Sequence, residues 1–300
     1  IAFGKSYGAI ELRESNGTLE LQSLLLKKQK GSFELEQSKI YKNVKELSEN
    51  TTSNQHFFLI INNHQVISKT ISKEVNPKKA VKTAFSNLNI FEFYYEILQL
   101  EKETHIAIIR KNVMDEILAS YNKSPLNIIG FSLGNCSLNQ LASFSNTPLS
   151  SSNAHISFSN GEVSCIEFNS STDHQNYDIN GLTINTNEAL CLAGIIAYYL
   201  NSDTNDSNFK QVTSQLVKQY TSNHLVLRGL KMGLVLLFLG LTLNFLAFSY
   251  YAEQNKLLSN SEQINNQYKQ TYLKLKEDLD RKKKLADQLF SSSTSRASFF

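Results

Sequence analysis

Cysteine, proline and glycine are scarce in this 300-residue chain, at three, three and twelve residues. Three scattered cysteines (Cys136, Cys165, Cys191) with no Cys-x-x-Cys pair exclude a disulfide-stapled scaffold and a zinc-ribbon spacing, and read as core thiols of a reducing compartment. So little glycine and proline excludes collagen-like and low-complexity chains. An excess of one charge is also lacking: 30 Lys and Arg stand against 27 Asp and Glu, a net charge of +3. With no basic patch interleaved with aromatics, nucleic-acid binding is not expected. The histidines (His56, His64, His105, His155, His174, His224) show no metal-ligand spacing. The mean hydropathy of -0.28 describes an ordinary soluble chain.

That average conceals one local absence. Met232–Ala252, MGLVLLFLGLTLNFLAFSYYA, carries no Asp, Glu, Lys or Arg. As a helix it spans roughly 31 Å, close to the hydrocarbon thickness of a bilayer. Tyr250 and Tyr251 supply an aromatic belt on the C-terminal side. A buried core helix is the alternative, and one of this length rarely lacks a charge. We therefore place a transmembrane helix at residues 231–252, behind a linker and juxtamembrane stretch at 206–230. Lys218, Arg228 and Lys231 precede the span, whereas Lys256 stands alone soon after it, so the N-terminal part is expected in the cytoplasm. The cluster Arg281–Lys284 lies too far away to dominate. Gly229, Gly233 and Gly240 have small-residue spacing that lets helices approach, and Asn244 can hydrogen-bond across a helix pair.

Residues 253–290 are expected to form a coiled coil on the far side. With position a at Leu258, Asn265, Tyr272, Leu279 and Ala286, position d falls on Ser261, Tyr268, Leu275, Lys282 and Leu289. Leu258, Tyr268, Tyr272, Leu275, Leu279 and Leu289 are its expected apolar core, while Asn265 and Lys282 weaken the seam and fix register. A single amphipathic helix leaning on another subunit is the alternative. Residues 291–300, SSSTSRASFF, are expected to open a further domain.

Residues 1–205 mix strands and helices. Ile1–Glu14 reads as a glycine-punctuated strand pair. His56–Ser72 reads as a hairpin turning at Asn62 and Asn63. Pro77 starts a helix running through Leu88, Glu92–Arg110 gives two strands, and Asn112 caps a helix over Val113–Tyr121. Asn127–Ser143 is a strand leading to a helix, Ile156–Phe168 is a hairpin around Asn160 and Gly161, and Glu188–Leu200 is an apolar helix. Asn201–Asn208 reads as a flexible linker. The class is α/β or α+β with a mixed sheet.

This order of elements resembles the actin-like cytoplasmic domain of the PilM pilus-assembly proteins and of GspL, the bitopic component of type II secretion. Ile1–Leu12 matches the first phosphate-loop hairpin, and Ile156–Phe168 the second. The stretch from His56 through Arg110 matches the small inserted subdomain, bounded at about 55–126, and Asn112–Leu141 matches the helix and turn that follow. A membrane helix followed by a coiled coil is then the order of GspL, or of PilM fused to PilN. The resemblance implies an α/β fold: an actin-like (ribonuclease H-like) domain with an inserted subdomain, then one transmembrane helix and a coiled coil.

In that family each phosphate loop carries an Asp two residues before a Gly, which holds Mg²⁺. Here Ala2 stands before Gly4, and Ser159 before Gly161. Glu11 and Glu162 are the nearby carboxylates able to stand in. No Gly-Gly adenine loop is evident near Asn187–Ala197, where Gly194 stands alone. The resemblance therefore implies degenerate loops, no cofactor, no metal and no ATP hydrolysis. It implies a non-enzymatic single-pass inner-membrane scaffold linking a cytoplasmic secretion or pilus ATPase to other platform subunits. A membrane sensor relaying a signal through its coiled coil, and a living membrane-anchored actin-like ATPase, are the alternatives. Ser132, in Gly130-Phe-Ser-Leu-Gly134, fits the G-x-S-x-G elbow of a serine hydrolase, but the chain after it is too short for the hydrolase sheet.

Overall fold

The computed structural model describes residues 4–15, 17–52, 55–145, 147–169, 175–200 and 205–296. Chain contacts divide it into two units, Ile1–Leu225 and Val226–Phe300.

In the first unit, β1 (Ser6–Ser15), β2 (Thr18–Gln29) and β3 (Ser32–Tyr41) form an antiparallel meander. Its turns need left-handed backbone, and Gly17 (φ +75°) and Gly31 (φ +98°) supply it at no steric penalty. Ile1–Glu14 is thus not a strand pair: its described part feeds one long strand, and the pairing turn comes later, at Gly17. A short helix, α1 (Val44–Glu49), follows, capped by the Asn43 side chain.

The next strand overturns an expectation. β4 (His56–Asn62) does not fold back in a hairpin; it runs parallel to β1. Its run of apolar residues is buried on both faces, the signature of an interior parallel strand. The chain then leaves the sheet and returns as β8 (Asn127–Leu133), parallel to β4. The sheet order is β3-β2-β1-β4-β8.

Between these two strands lies the inserted subdomain: β5 (Ile67–Ser72), α2 (Pro77–Ala84), β6 (Phe93–Gln99), β7 (Glu103–Arg110) and α3 (Lys111–Asn122). Because β4 belongs to the main sheet, the insertion begins after residue 62 rather than near 55. Asn76 caps α2 and Pro77 occupies its first turn. The helix ends at Ala84, short of Leu88, after placing Ala80 and Val81 against Phe93, Ile97, Ile106 and Ile108. α3 starts at Lys111, so Asn112 lies inside it rather than capping it.

Past β8 the chain makes a 3-10 turn over Cys136–Leu141 in place of the expected α-helix, then β9 (Leu149–Ser150), β10 (Ala154–Ser159) and β11 (Glu162–Phe168) in one small sheet. The hairpin of β12 (Asn176–Ile179) and β13 (Leu182–Asn185) leads into α4 (Ala189–Leu200). α4 is buried from Ala189 to Ile196 and packs on β1 and β4. A Cβ on Gly194 would meet Phe58 and Ile60 at 2.9 Å, so this glycine serves helix–sheet packing and not an adenine loop. The first unit thus carries a mixed five-stranded sheet with a smaller sheet inserted before its last strand.

β14 (Asp206–Ser207) adds to β6, and α5 runs over Lys210–Arg296. Phe209 and Tyr220 are buried in the first unit. Residues 206–225 are therefore folded structure rather than a linker, because they carry apolar anchors that a linker lacks.

The second unit is the continuation of α5. From Gly229 to Phe290 it contains a stretch long and apolar enough to cross a membrane, with mean hydropathy 2.1 and no part of that window buried. Gly229, Gly233 and Gly240 stand in open space, and Asn244 is exposed. Leu258, Tyr268, Tyr272, Leu275, Leu279 and Leu289 are exposed as well. Residues 291–296 prolong the helix, and 297–300 lie outside the described residues.

Candidate functional site

β1, β4 and β8 are parallel, so their C-terminal ends share one edge of the sheet, where α/β folds place ligands. The chain delivers short polar side chains to that edge. Glu11 projects from β1, Asn62 ends β4, Asn135 follows β8 beyond Gly134 (φ +57°), and Ser151, Ser152 and Asn153 precede β10.

These side chains form one chain of hydrogen bonds. Asn62 Nδ2 donates to Glu11 Oε1 at 2.9 Å, and the Ser152 hydroxyl donates to the same oxygen. Asn153 Nδ2 donates to Asn62 Oδ1 at 2.7 Å, Asn135 Nδ2 to Asn153 Oδ1 at 2.9 Å, and Ser151 Oγ to Asn135 Oδ1 at 2.9 Å. Glu11 is fully buried; that burial pushes its carboxyl above the usual range, against the opposing pull of Ser152 and Asn62. Its Oε2 has no partner. On the same strand, Arg13 donates to Asn187 Oδ1 at 2.8 Å and lies 3.5 Å from Glu20. Against the network lies a cleft of about 390 Å³, lined by its members Asn62 and Asn153 and by Glu14, His64, Gly134 and Phe168 among others. At its rim His64 Nδ1 meets Glu14 Oε2 at 2.7 Å. Amides and hydroxyls thus lace the edge beneath this cleft, with Glu11 Oε1 engaged and its Oε2 buried without a partner.

The expected loop residues fall elsewhere. Ala2 lies outside the described residues. Gly4 is exposed and precedes β1, at the end opposite the edge. Between β1 and β2 the sequence reads Ser15-Asn16-Gly17, so Ser15 and not Ala2 stands two residues before the hairpin glycine. Ser159 ends β10 and Gly161 turns the next hairpin with φ +78°. Ser159 lies six residues beyond Asn153, roughly 20 Å along an extended strand. A Cβ on Gly4, Gly17 or Gly161 meets nothing within 4 Å. Both hairpins read Ser-Asn-Gly, with no acid where the resemblance implies one. Glu162, the other proposed stand-in, is exposed on β11.

Ser132 does not stand exposed on an elbow. It is buried in β8 and donates to Glu96 Oε2 at 2.8 Å, an oxygen that also accepts the Leu133 N–H at 2.8 Å. Gly130 is required because the Phe58 ring lies 3.0 Å from where its Cβ would sit, and Gly134 by its positive φ. Packing and turn geometry account for the whole motif. Cys136 and Cys191 are buried free thiols held well above the usual range by that burial, and no metal-holding cluster occurs among the described residues.

A second constellation fastens the start of α5. Asn205 Nδ2 donates to Glu96 Oε1 and to the Cys136 carbonyl, each at 2.8 Å. Asn208 behaves as an extra strand residue: its Oδ1 accepts the Tyr95 N–H at 2.8 Å and its Nδ2 donates to the Phe93 carbonyl at 2.9 Å. Farther on, the Tyr220 hydroxyl lies 3.2 Å from His56 Nδ1. Sequence reading missed these residues because asparagines and serines between elements look like turn formers. The signal available was their recurrence after β4, β8, β9, β10 and β11.

No protein-family model matches the sequence, and no curated protein does. Solved structures show partial likeness. The cytoplasmic domain of EpsL, an inner-membrane component of the Vibrio cholerae type II secretion system, is similar at 8% identity and a TM-score of 0.37, over 54% of this chain and 71% of that one. A PilM–PilN type IV pilus biogenesis complex is similar at 11% identity and a TM-score of 0.37. There the overlap covers 50% of this chain and 56% of the other, little more than half its length. A Bacteroides thetaiotaomicron protein of actin-like ATPase fold and unknown function is similar at 12% identity and a TM-score of 0.34, over 55% of this chain and 71% of that one.

Proposed function

We propose that the chain is a non-enzymatic, single-pass scaffold of a type II secretion or type IV pilus-like assembly platform in a bacterial inner membrane, its folded domain on the cytoplasmic side. The observation that carries this reading is α5. It begins with Phe209 and Tyr220 anchored in the folded unit and runs without a break into an uncharged stretch of bilayer length. The Ser-Asn-Gly hairpins, which carry no acid two residues before their glycine, and the burial of Glu11 among amides and hydroxyls argue against Mg·ATP chemistry. The orientation follows from Lys218, Arg228 and Lys231 before the span.

In this reading the domain receives a secretion or pilus ATPase in the cytoplasm, and α5 pairs with another platform subunit or a second copy. The heptad of the distal helix extends back in phase. Leu237, Asn244 and Tyr251 fall on a, and Gly233, Gly240 and Ala247 on d, in register with Leu258, Tyr268, Tyr272, Leu275, Leu279 and Leu289. Gly229 falls outside that seam. The d positions thereby offer small residues in the membrane, and the seam carries large apolar ones beyond it. The test is affinity purification of the full chain from membranes, with ATP turnover measured on the same material. Co-purification of a secretion or pilus ATPase and platform proteins, without turnover by the chain itself, is the expected result. A homodimer free of such partners, or stoichiometric Mg·ATP binding with turnover, overturns it.

A further inference from the structure

A separate cleft of about 500 Å³ lies in the first unit, between the outer edge of β8 and the opening turns of α5, and takes no part in the strand-edge network. Glu96, Ser137 and Asn205 are among its lining, and Phe58, Tyr198 and Phe209 supply aromatic surface. Ser137 is 2% exposed and its Oγ has no hydrogen-bond partner; Asn205 Oδ1 is buried without one too. The orientation of that amide is fixed, since its Nδ2 already serves Glu96 and the Cys136 carbonyl. Flipping it would turn an oxygen toward two acceptors.

Glu96 itself is buried and receives three donors, from Ser132, Leu133 and Asn205, all of them neutral. Among the described residues it forms no ion pair. Lys210 also lines the cleft but is not among the groups acting on this carboxyl. A buried carboxylate without a counter-charge, beside an orphaned carbonyl and an orphaned hydroxyl, is unfavourable when empty.

We propose that this cleft binds a small organic cation bearing N–H donors, an amine or a guanidine. Its charge offsets Glu96, its N–H groups satisfy Asn205 Oδ1 and Ser137 Oγ, and the aromatic faces favour a cation nearby. The volume lies within the range of small-molecule sites.

Agmatine, which carries both cationic groups, is the probe. It is titrated calorimetrically into the full chain in detergent, in parallel with tetramethylammonium, which has the charge without N–H donors. The expected result is one agmatine per chain and no tetramethylammonium heat. Glu96→Gln is expected to weaken agmatine at least tenfold, and Ser137→Ala about fivefold, the loss of one hydrogen bond. Should Glu96→Gln fail to fold by circular dichroism, Ser137→Ala and the tetramethylammonium comparison decide. Absence of agmatine binding, equal binding of tetramethylammonium, or undiminished agmatine binding by Ser137→Ala overturns the proposal.

Discussion

Phe209 stacks on Phe131, their ring centroids 4.3 Å apart and their planes 22° from parallel. Phe131 belongs to β8 at the edge of the main sheet and Phe209 to the junction that opens α5, so this contact fastens the helix to the fold. Phe209→Ala is expected to destabilise the first unit by about 3–5 kcal/mol, the usual range for emptying a buried aromatic site. Phe91, which is 82% exposed, serves as control; its alanine variant is expected to stay within about 0.5 kcal/mol of the parent. With no tryptophan in the chain, denaturant titration of the full chain followed by tyrosine fluorescence reads both.

Glu11 gives a pH signature. Burial raises its carboxyl above 4.5, so the folded chain holds this proton more tightly than the unfolded one. Its contribution to stability is greatest at low pH and declines as pH rises from about 4.5 through the raised value. Glu11→Gln keeps an acceptor for Asn62 and Ser152 and removes the buried charge, so that decline is expected to disappear and stability at pH 8 to match or exceed the parent. Glu11→Ala strands the Ser152 hydroxyl and leaves Asn62 Nδ2 with Ser152 Oγ as its acceptor, and is expected to lose about 1–3 kcal/mol. Unfolding free energies between pH 4 and 8 distinguish the two; a Gln variant less stable than Ala at pH 8 defeats this account.

His105 works in the opposite direction. Its ring is buried, with Nδ1 on Thr70 Oγ1 at 3.1 Å, and burial lowers its pKa from 6.5 to about 4. The unfolded chain therefore binds this proton first as pH falls. The stabilisation is complete above pH 6.5 and is lost on descending toward pH 4, by roughly 3 kcal/mol in all. His105→Gln is expected to flatten that limb of the stability curve, and an unchanged slope would count against a buried neutral imidazole.

The shared heptad phase makes a positional prediction. In a variant lacking accessible Cys165, single cysteines at Ala247, Leu275 or Leu289 are expected to form interchain disulfides in membranes. A cysteine at Glu277, on the f position away from the seam, is expected to remain reduced. Equal cross-linking at all four positions would remove the case for a defined seam.

Features written in local chemistry were legible in the sequence. The charge-free run ending at Ala252, the proline-started α2 and the uniformly apolar α4 all follow from residues adjacent in the chain. Features set by distant pairing were not. Asn62 and Asn63 carry a strong turn signal, yet β4 pairs with β1 and β8 and not with β5, because its two-faced burial outweighs the local preference. Asn201–Asn208 has a linker composition, and only the edge of β6, about a hundred residues earlier, gives Asn208 its role. Gly4 marks the expected first phosphate loop, whereas the strand continues to Ser15. The degenerate Ser-Asn-Gly pattern was legible once the strand end was known.

The pairing of β14 with β6 sets an order of events during synthesis. The inserted sheet cannot be completed until Asp206 and Ser207 emerge, although its other strands finish at Arg110. By then the ribosome is about to make Met232–Ala252. At about 5–20 residues per second, the end of that segment follows Phe209 by roughly 2–9 s. The domain acquires its last strand and its anchor within one short interval, so a nascent chain stalled before residue 206 exposes an unpaired β6 edge while it is still untethered.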